Sequence, residues 1–180
     1  MKKYLLTLLS VVPILFSYAE SISVQPIRIQ AHVAERVAAL PDGNSVTEES
    51  GVYTLTYKFT TEKHDALFFD LDIPLKTAEK MTLQVNGDGK GHNLFVVVRD
   101  QSGENFYFPG PAIDFTGWKT LTIKFNYPTI NPGEKYASIW GGDGNQQVDF
   151  PLQGMTIGLN DTPDTAIDNG EIQIRDIQVK

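Results

Sequence analysis

The chain has 180 residues, 41% hydrophobic and 21% charged, a composition that argues against a disordered or fibrous chain and suits one domain with its own core. It has no cysteine, so disulfides and thiol nucleophiles are excluded, and its three histidines lie far apart, without the spacing of a metal hydrolase. A formal charge of -7 argues against nucleic acid and against docking on anionic lipid heads.

Residues 1–19 read as an export signal. Lys2 and Lys3 precede an apolar stretch over 5–16, interrupted by Pro13, and Ser17, Tyr18 and Ala19 fit a small-x-small cleavage pattern. The stretch is too short to span a bilayer, and no later segment approaches that length; an uncleaved anchor is the alternative. Cleavage takes the formal charge to -9 and leaves residues 20–180 as one domain, secreted or periplasmic and not inserted in a membrane. No basic patch stands out for an anionic polysaccharide, whereas a neutral one is compatible with this surface.

Over 21–30, Ile22, Val24, Ile27 and Ile29 predict a strand, with Pro26 marking an edge or a bulge. Residues 31–40 place Val33, Val37 and Leu40 at helical spacing, so they form either a short helix or a continuation of that strand. Residues 41–44 are a turn by chemistry. Over 52–60 the alternation puts Tyr53, Leu55, Tyr57 and Phe59 on the core face, and 66–74 and 80–85 follow as two more strands. Residues 86–91 read as a glycine-rich turn. They lack the lysine and hydroxyl of a phosphate loop and precede a strand instead of a helix.

The segment 92–100 is rich in β-branched and aromatic residues and pairs with 105–108 as a hairpin across a short polar loop. Pro109, Gly110 and Pro111 break the pattern. Residues 118–125 then alternate, Leu121, Ile123 and Phe125 inward and Thr120, Thr122 and Lys124 outward. Further strands are expected at 135–140, 154–159 and 170–179. In the last, Ile172 and Ile174 share one face and Ile177 and Val179 the other, the slip that a β-bulge near Arg175 and Asp176 produces. Nine or ten short strands without helix-strand alternation predict an all-β sandwich.

Several pieces carry a resemblance: Asn86-Gly87-Asp88-Gly89, then Val98-Arg99-Asp100, then Ile113-Asp114-Phe115-Thr116-Gly117-Trp118, and the final strand through Asp176 to Val179. Their order over residues 53–179 resembles the galactose-binding-like β-sandwiches, in particular carbohydrate-binding modules of bacterial glycoside hydrolases. The resemblance implies a jelly roll of two antiparallel sheets and a ligand that is a polysaccharide or oligosaccharide. It also implies a structural calcium ion held by Asp176 with backbone carbonyls and an acid near the domain's start. Pairing of Asp176 with a basic neighbour is the alternative.

Nothing in the sequence points to catalysis. A glycosidase needs two carboxylates at fixed separation, and no local motif marks such a pair; no Gly-x-Ser-x-Gly elbow is present. A binding role rests on aromatics that stack on sugar faces beside side chains that hydrogen-bond hydroxyls. If Leu94, Val96, Val98, Phe106 and Phe108 point inward, then Phe95, Arg99, Asn105 and Tyr107 share the opposite face, suited to a shallow glycan groove on a concave sheet. Alternatively the N-terminal segment covers Phe95 and Val97. A second candidate is the end loop after Trp140, where Asp143, Asn145 and Gln146 could bond sugar hydroxyls; a solvated connection is its alternative. Trp118 matches a packing position in the resembling modules. A reading of a different class is a cell-envelope adaptor that uses the sandwich to contact another envelope protein.

Overall fold

The computed structural model describes residues 26–33, 36–38, 43–59, 66–71, 74–128, 135–161 and 167–180. The expected export signal lies outside them. Within them are twelve strands: β1 (Pro26–Val33), β2 (Arg36–Ala38), β3 (Ser45–Glu49), β4 (Val52–Phe59), β5 (Ala66–Leu71), β6 (Lys80–Asp88), β7 (Asn93–Arg99), β8 (Glu104–Ala112), β9 (Thr116–Lys124), β10 (Ile139–Gly141), β11 (Gly154–Asn160) and β12 (Asp168–Val179). All pairings are antiparallel. One sheet has the order β10-β8-β7-β11-β5-β1-β2 and the other β3-β4-β12-β6-β9. The result is the all-β, jelly-roll-like sandwich of two antiparallel sheets that the strand pattern and the resemblance predict.

The period-2 alternation sets the core. Tyr53, Leu55, Tyr57 and Phe59 of β4, with Met81, Leu83 and Val85 of β6, are buried in one cluster with Leu67, Phe69 and Leu71 of β5 and Leu94, Val96 and Val98 of β7. Tyr53 and Phe69 stack across the two sheets with ring centroids 4.7 Å apart. Each such side chain, fully buried, contributes about 1.5–3 kcal/mol from area removed from water, so a core this extensive needs no disulfide.

Several expectations change. Of the two readings of residues 31–40, the described part takes the strand: β1 runs to Val33 and pairs with β2. Pro26 belongs to a bulge, since the β1–β5 register shifts between Pro26 and Arg28. The prolines expected to break the chain lie inside β8, which runs on to Ala112. Among the described strands, β10 pairs only with Glu104, Asn105 and Phe106 of β8, so beyond them β8 is an edge, where a missing N–H is tolerated. The turn expected at 86–91 is shorter, because β6 continues through Asp88; a Cβ on Gly87 would stand 2.3 Å from the Phe115 carbonyl oxygen, so this glycine allows a close backbone approach. The strand expected over 135–140 is reduced to β10. β3 escaped the sequence reading because only Val46 of its five residues is buried, which leaves no alternation to see.

Opposite ends of the sandwich are closed by buried polar groups. At one end His92, 3% exposed, sits between Asp161 (Nδ1, 3.3 Å) and Asp168 (Nε2, 3.0 Å). Its ring meets Tyr57 and Phe59 edge-on, and Tyr57 donates to Asp88 at 2.5 Å. Lys90 pairs with Asp168. Burial works to raise the Asp168 carboxyl, but the hydrogen bonds and charges of Lys90 and His92 outweigh it and hold the group below its ordinary value.

Candidate binding groove

The outer face of the seven-stranded sheet carries a groove of about 380 Å3. Antiparallel register assembles it in rows across the strands. Trp140 of β10 lies beside Asn105 of β8, which lies beside Arg99 of β7. In the next row are Tyr107, Val97, Thr156 and Asp70, from β8, β7, β11 and β5. The third brings Phe95 of β7 beside Gly158 of β11 and then Phe68 of β5. Asn160 and Ala66 close that end.

The floor is aromatic. Phe95 stacks on Tyr107 with centroids 5.6 Å apart and meets Phe68 edge-on at 6.3 Å. Gly158 makes this possible: a Cβ there would stand 2.4 Å from Phe95 Cζ and 2.6 Å from Phe68 Cβ, so the absence of a side chain lets the Phe95 ring lie across the strand. Polar groups surround the floor. Asn160 Nδ2 donates to the Tyr107 hydroxyl at 2.8 Å, which leaves the hydroxyl hydrogen free to donate outward. Burial raises the Tyr107 phenol above its ordinary value, partly offset by Asn160, so it stays neutral at physiological pH. The Thr156 hydroxyl bonds the Asp70 carboxylate. Asn105 Nδ2 bonds the Trp140 and Gly103 carbonyl oxygens, both at 3.3 Å, and so fixes the backbone that carries the Trp140 wall. Trp140 itself is 48% exposed.

The two regions expected separately, a sheet face and an end loop, meet here. Phe95, Arg99, Asn105, Tyr107 and Trp140 all line one groove. Phe95 is buried beneath its neighbours and shapes the floor. The described part of the N-terminal segment joins the sheet beside β5 instead of lying over Phe95. Asp143 and Asn145 do not reach the groove; they lie on the exposed loop after β10, where Asn145 bonds Asp143 and Asp149. Phe68, Asp70, Thr156 and Asn160 are lining residues that the sequence reading missed. The signal was there: in β5, Phe68 and Asp70 alternate against the core residues Leu67, Phe69 and Leu71.

The expected bulge at Asp176 is present, with the β12–β6 register shifting between Arg175 and Gln178 and a backbone φ of 52° at Asp176. Its exposed carboxylate lies 3.6 Å from Arg175 Nε. Pairing of Asp176 with a basic neighbour, the alternative to a calcium role, is the geometry found. Trp118 lies on the other sheet, under the Arg175 guanidinium at 3.9 Å.

No protein-family model matches the sequence, and no curated protein matches it. Among solved structures the fold is similar to the family 11 carbohydrate-binding module of the cellulosomal cellulase Lic26A-Cel5E of Clostridium thermocellum, at 11% identity over 89% of this chain and 95% of that one, with a TM-score of 0.49. It is also similar to a family 29 carbohydrate-binding module, at 12% identity over 85% and 89% of the two chains, with a TM-score of 0.43. A third similar structure is PfGH50B, 12% identical, where the match covers 83% of this chain and 22% of that one at a TM-score of 0.47. Likeness at these scores carries no functional argument.

Proposed function

We propose that this protein is an exported, non-catalytic carbohydrate-binding module that takes a neutral glycan in the groove of the seven-stranded sheet. One observation carries the reading: the exposed Trp140 and the half-buried Tyr107 flank an open groove on a rigid sheet, with hydrogen-bonding groups of Arg99, Asn105, Asp70 and Asn160 within the same lining. That combination suits a ring with apolar C–H faces and hydroxyl edges. The one acid and one base in the described lining, Asp70 and Arg99, give the groove no strong charge of either sign. Asp70 is the single carboxylate among the described lining residues, and its oxygen is engaged by Thr156, which supports binding without hydrolysis. The signal-like residues 1–19 support export.

The test is migration of the protein in native gels loaded with plant, algal and bacterial polysaccharides. Retardation by one glycan class, lost in Trp140→Ala and Tyr107→Ala and kept in Trp118→Ala, is the expected result. A folded protein retarded by none of them overturns the reading.

A further inference from the structure

At the end of the sandwich away from His92, acids crowd around the tip of the β7–β8 hairpin. Asp100 is fully buried and fully engaged: Oδ1 accepts from Ser102 Oγ and the Glu104 N–H, each at 2.8 Å, and Oδ2 accepts from the Asp149 N–H at 3.1 Å. Glu104 is different. It is 1% exposed and the Gln146 N–H bonds its carboxylate, yet its Oε2 is buried with no hydrogen-bond partner. A bare buried carboxylate oxygen is costly as an anion and far less costly as a neutral acid.

The charges that face Glu104 add to that cost. Asp100 acts on it from the β7–β8 turn, and Asp143 and Asp149 act on it from the loop after β10. All three are acids. The neighbouring base, Arg99, lines the groove on the outer side of the sheet, whereas Glu104 is buried on the inner side with Phe106 and Phe108. Burial first, and then the three charges, push the Glu104 carboxyl above its ordinary 4.5 and outweigh the Gln146 bond.

Glu104 is also where the loop behind Trp140 is fastened. Gly141 pairs with it across the β10–β8 ladder, and a Cβ on Gly142 would stand 2.4 Å from the Glu104 nitrogen and 2.6 Å from its Cβ. Further on, the Gln146 N–H returns to the Glu104 carboxylate, while Gln146 Oε1 accepts from the Tyr136 N–H at 2.8 Å on the chain that enters β10. Both limbs of the loop thus meet on one residue.

We propose that Glu104 is a proton-binding site that sets how firmly this loop is seated: neutral in mild acid it holds the loop behind Trp140 in place, and ionised it opposes Asp100, Asp143 and Asp149 and loosens that seat. One wall of the groove thereby responds to the acidity around the protein. Because the folded carboxyl holds its proton more tightly than the unfolded one, its contribution to stability is complete below 4.5 and is lost as pH rises through the raised folded value. The contribution of Asp168 changes only below 3.8, so the two do not overlap.

The test uses no glycan, so it stands whether or not the groove binds one. Tm of the parent and of Glu104→Gln is followed from about pH 4.5 to about pH 8, and their difference at each pH cancels groups that titrate alike in both. The variant should match the parent at the acid end and exceed it by about 2–4 °C at the alkaline end. The double variant Asp143→Asn with Asp149→Asn, which decides the matter if Glu104→Gln does not fold, should move the midpoint of the pH dependence down. In a Trp118→Phe background Trp140 is the one tryptophan left, and acrylamide quenching of its fluorescence should rise with pH in the parent sequence and stay flat with Glu104→Gln. A Tm for Glu104→Gln that tracks the parent at every pH, a midpoint unmoved by the double variant, or Trp140 quenching that rises equally with and without Glu104 overturns the proposal.

Discussion

The two sheets share one core, and each carries one exposed tryptophan on its outer face, Trp140 at 48% and Trp118 at 41%. Their surroundings differ. On the five-stranded sheet Trp118 lies in a row with Asn86, Gln173 and Thr54, and the amides satisfy each other, Asn86 Nδ2 donating to Gln173 Oε1 at 3.2 Å. Arg175 donates to Gln84 Oε1 at 3.0 and 3.2 Å while its guanidinium covers the indole. On the seven-stranded sheet the corresponding rows hold aromatic rings and a glycine, and the surface dips into a groove. Exposure of an aromatic ring is thus a poor guide to binding; what already occupies its face decides whether a ligand can.

The largest expected effect follows from that contrast. Trp140→Ala should weaken glycan binding by at least about 2 kcal/mol, roughly 30-fold, as an aromatic anchor would, while Trp118→Ala leaves the affinity within about twofold. Affinity electrophoresis of both variants against the retained glycan checks this. Equal losses would break the distinction between the faces.

Next comes the floor. Gly158→Val forces a Cβ into Phe95, so it should cost about 1–3 kcal/mol of stability through overpacking and abolish glycan retention. Thr54→Val, on the outer face of the other sheet, should stay within about 0.5 kcal/mol. Urea midpoints of the two variants test the asymmetry. A Gly158 variant of wild-type stability would show that Phe95 can lie elsewhere.

Much of this architecture is readable in the chain, and the unreadable parts have physical causes. Alternation in 52–60 and 118–125 reports burial directly, whereas in 92–100 the apolar run is unbroken and Phe95 and Val97 are buried as well, so period 2 sorts Phe95 and Arg99 onto one face without saying which face meets the core. Register between strands distant in sequence does not follow. Nothing local says that Gly158 lies opposite Phe95, or that Trp140 pairs with Asn105 and so joins the sheet-face residues in one groove. The prolines of β8 misled because a breaker in a central strand is harmless on an edge, and edges are a tertiary property. Asp143 and Asn145 drew attention as polar loop residues beside a tryptophan, but Asn145 bonds Asp143 and Asp149 on an exposed loop outside the groove lining.

A third effect concerns the network that joins the sheets, with Tyr57 and Asp168 from one and His92 and Asp161 at strand ends of the other. The folded Asp168 carboxyl is held below the ordinary 3.8, so its contribution is complete above that value and is lost as pH falls through it toward the lowered folded value. Asp168→Asn should therefore cost about 1 kcal/mol at neutral pH and less at about pH 3, measured as urea midpoints at both. The groove should be indifferent: glycan affinity of the variant at neutral pH should match the parent. A stability loss equal at both pH values would assign the contact to packing instead of charge.

The smallest effect is the most pointed test of the comparison. Arg175→Ala removes the guanidinium from the Trp118 face at a cost of about 0.5–1 kcal/mol from the lost cation–π contact, plus the bonds to Gln84. It leaves a bare indole on the five-stranded sheet, with Thr120, Thr122 and the amides of Gln84, Asn86 and Gln173 around it. If an uncovered tryptophan among polar groups were enough, this variant combined with Trp140→Ala would recover glycan retention on the second face. We expect none. The rows around Trp118 have no glycine opposite an aromatic ring to lower the floor, and the amides of Asn86 and Gln173 bond each other. Recovery of binding in the double variant would show that the guanidinium cover, and not the shape of the sheet, is what keeps the second face silent.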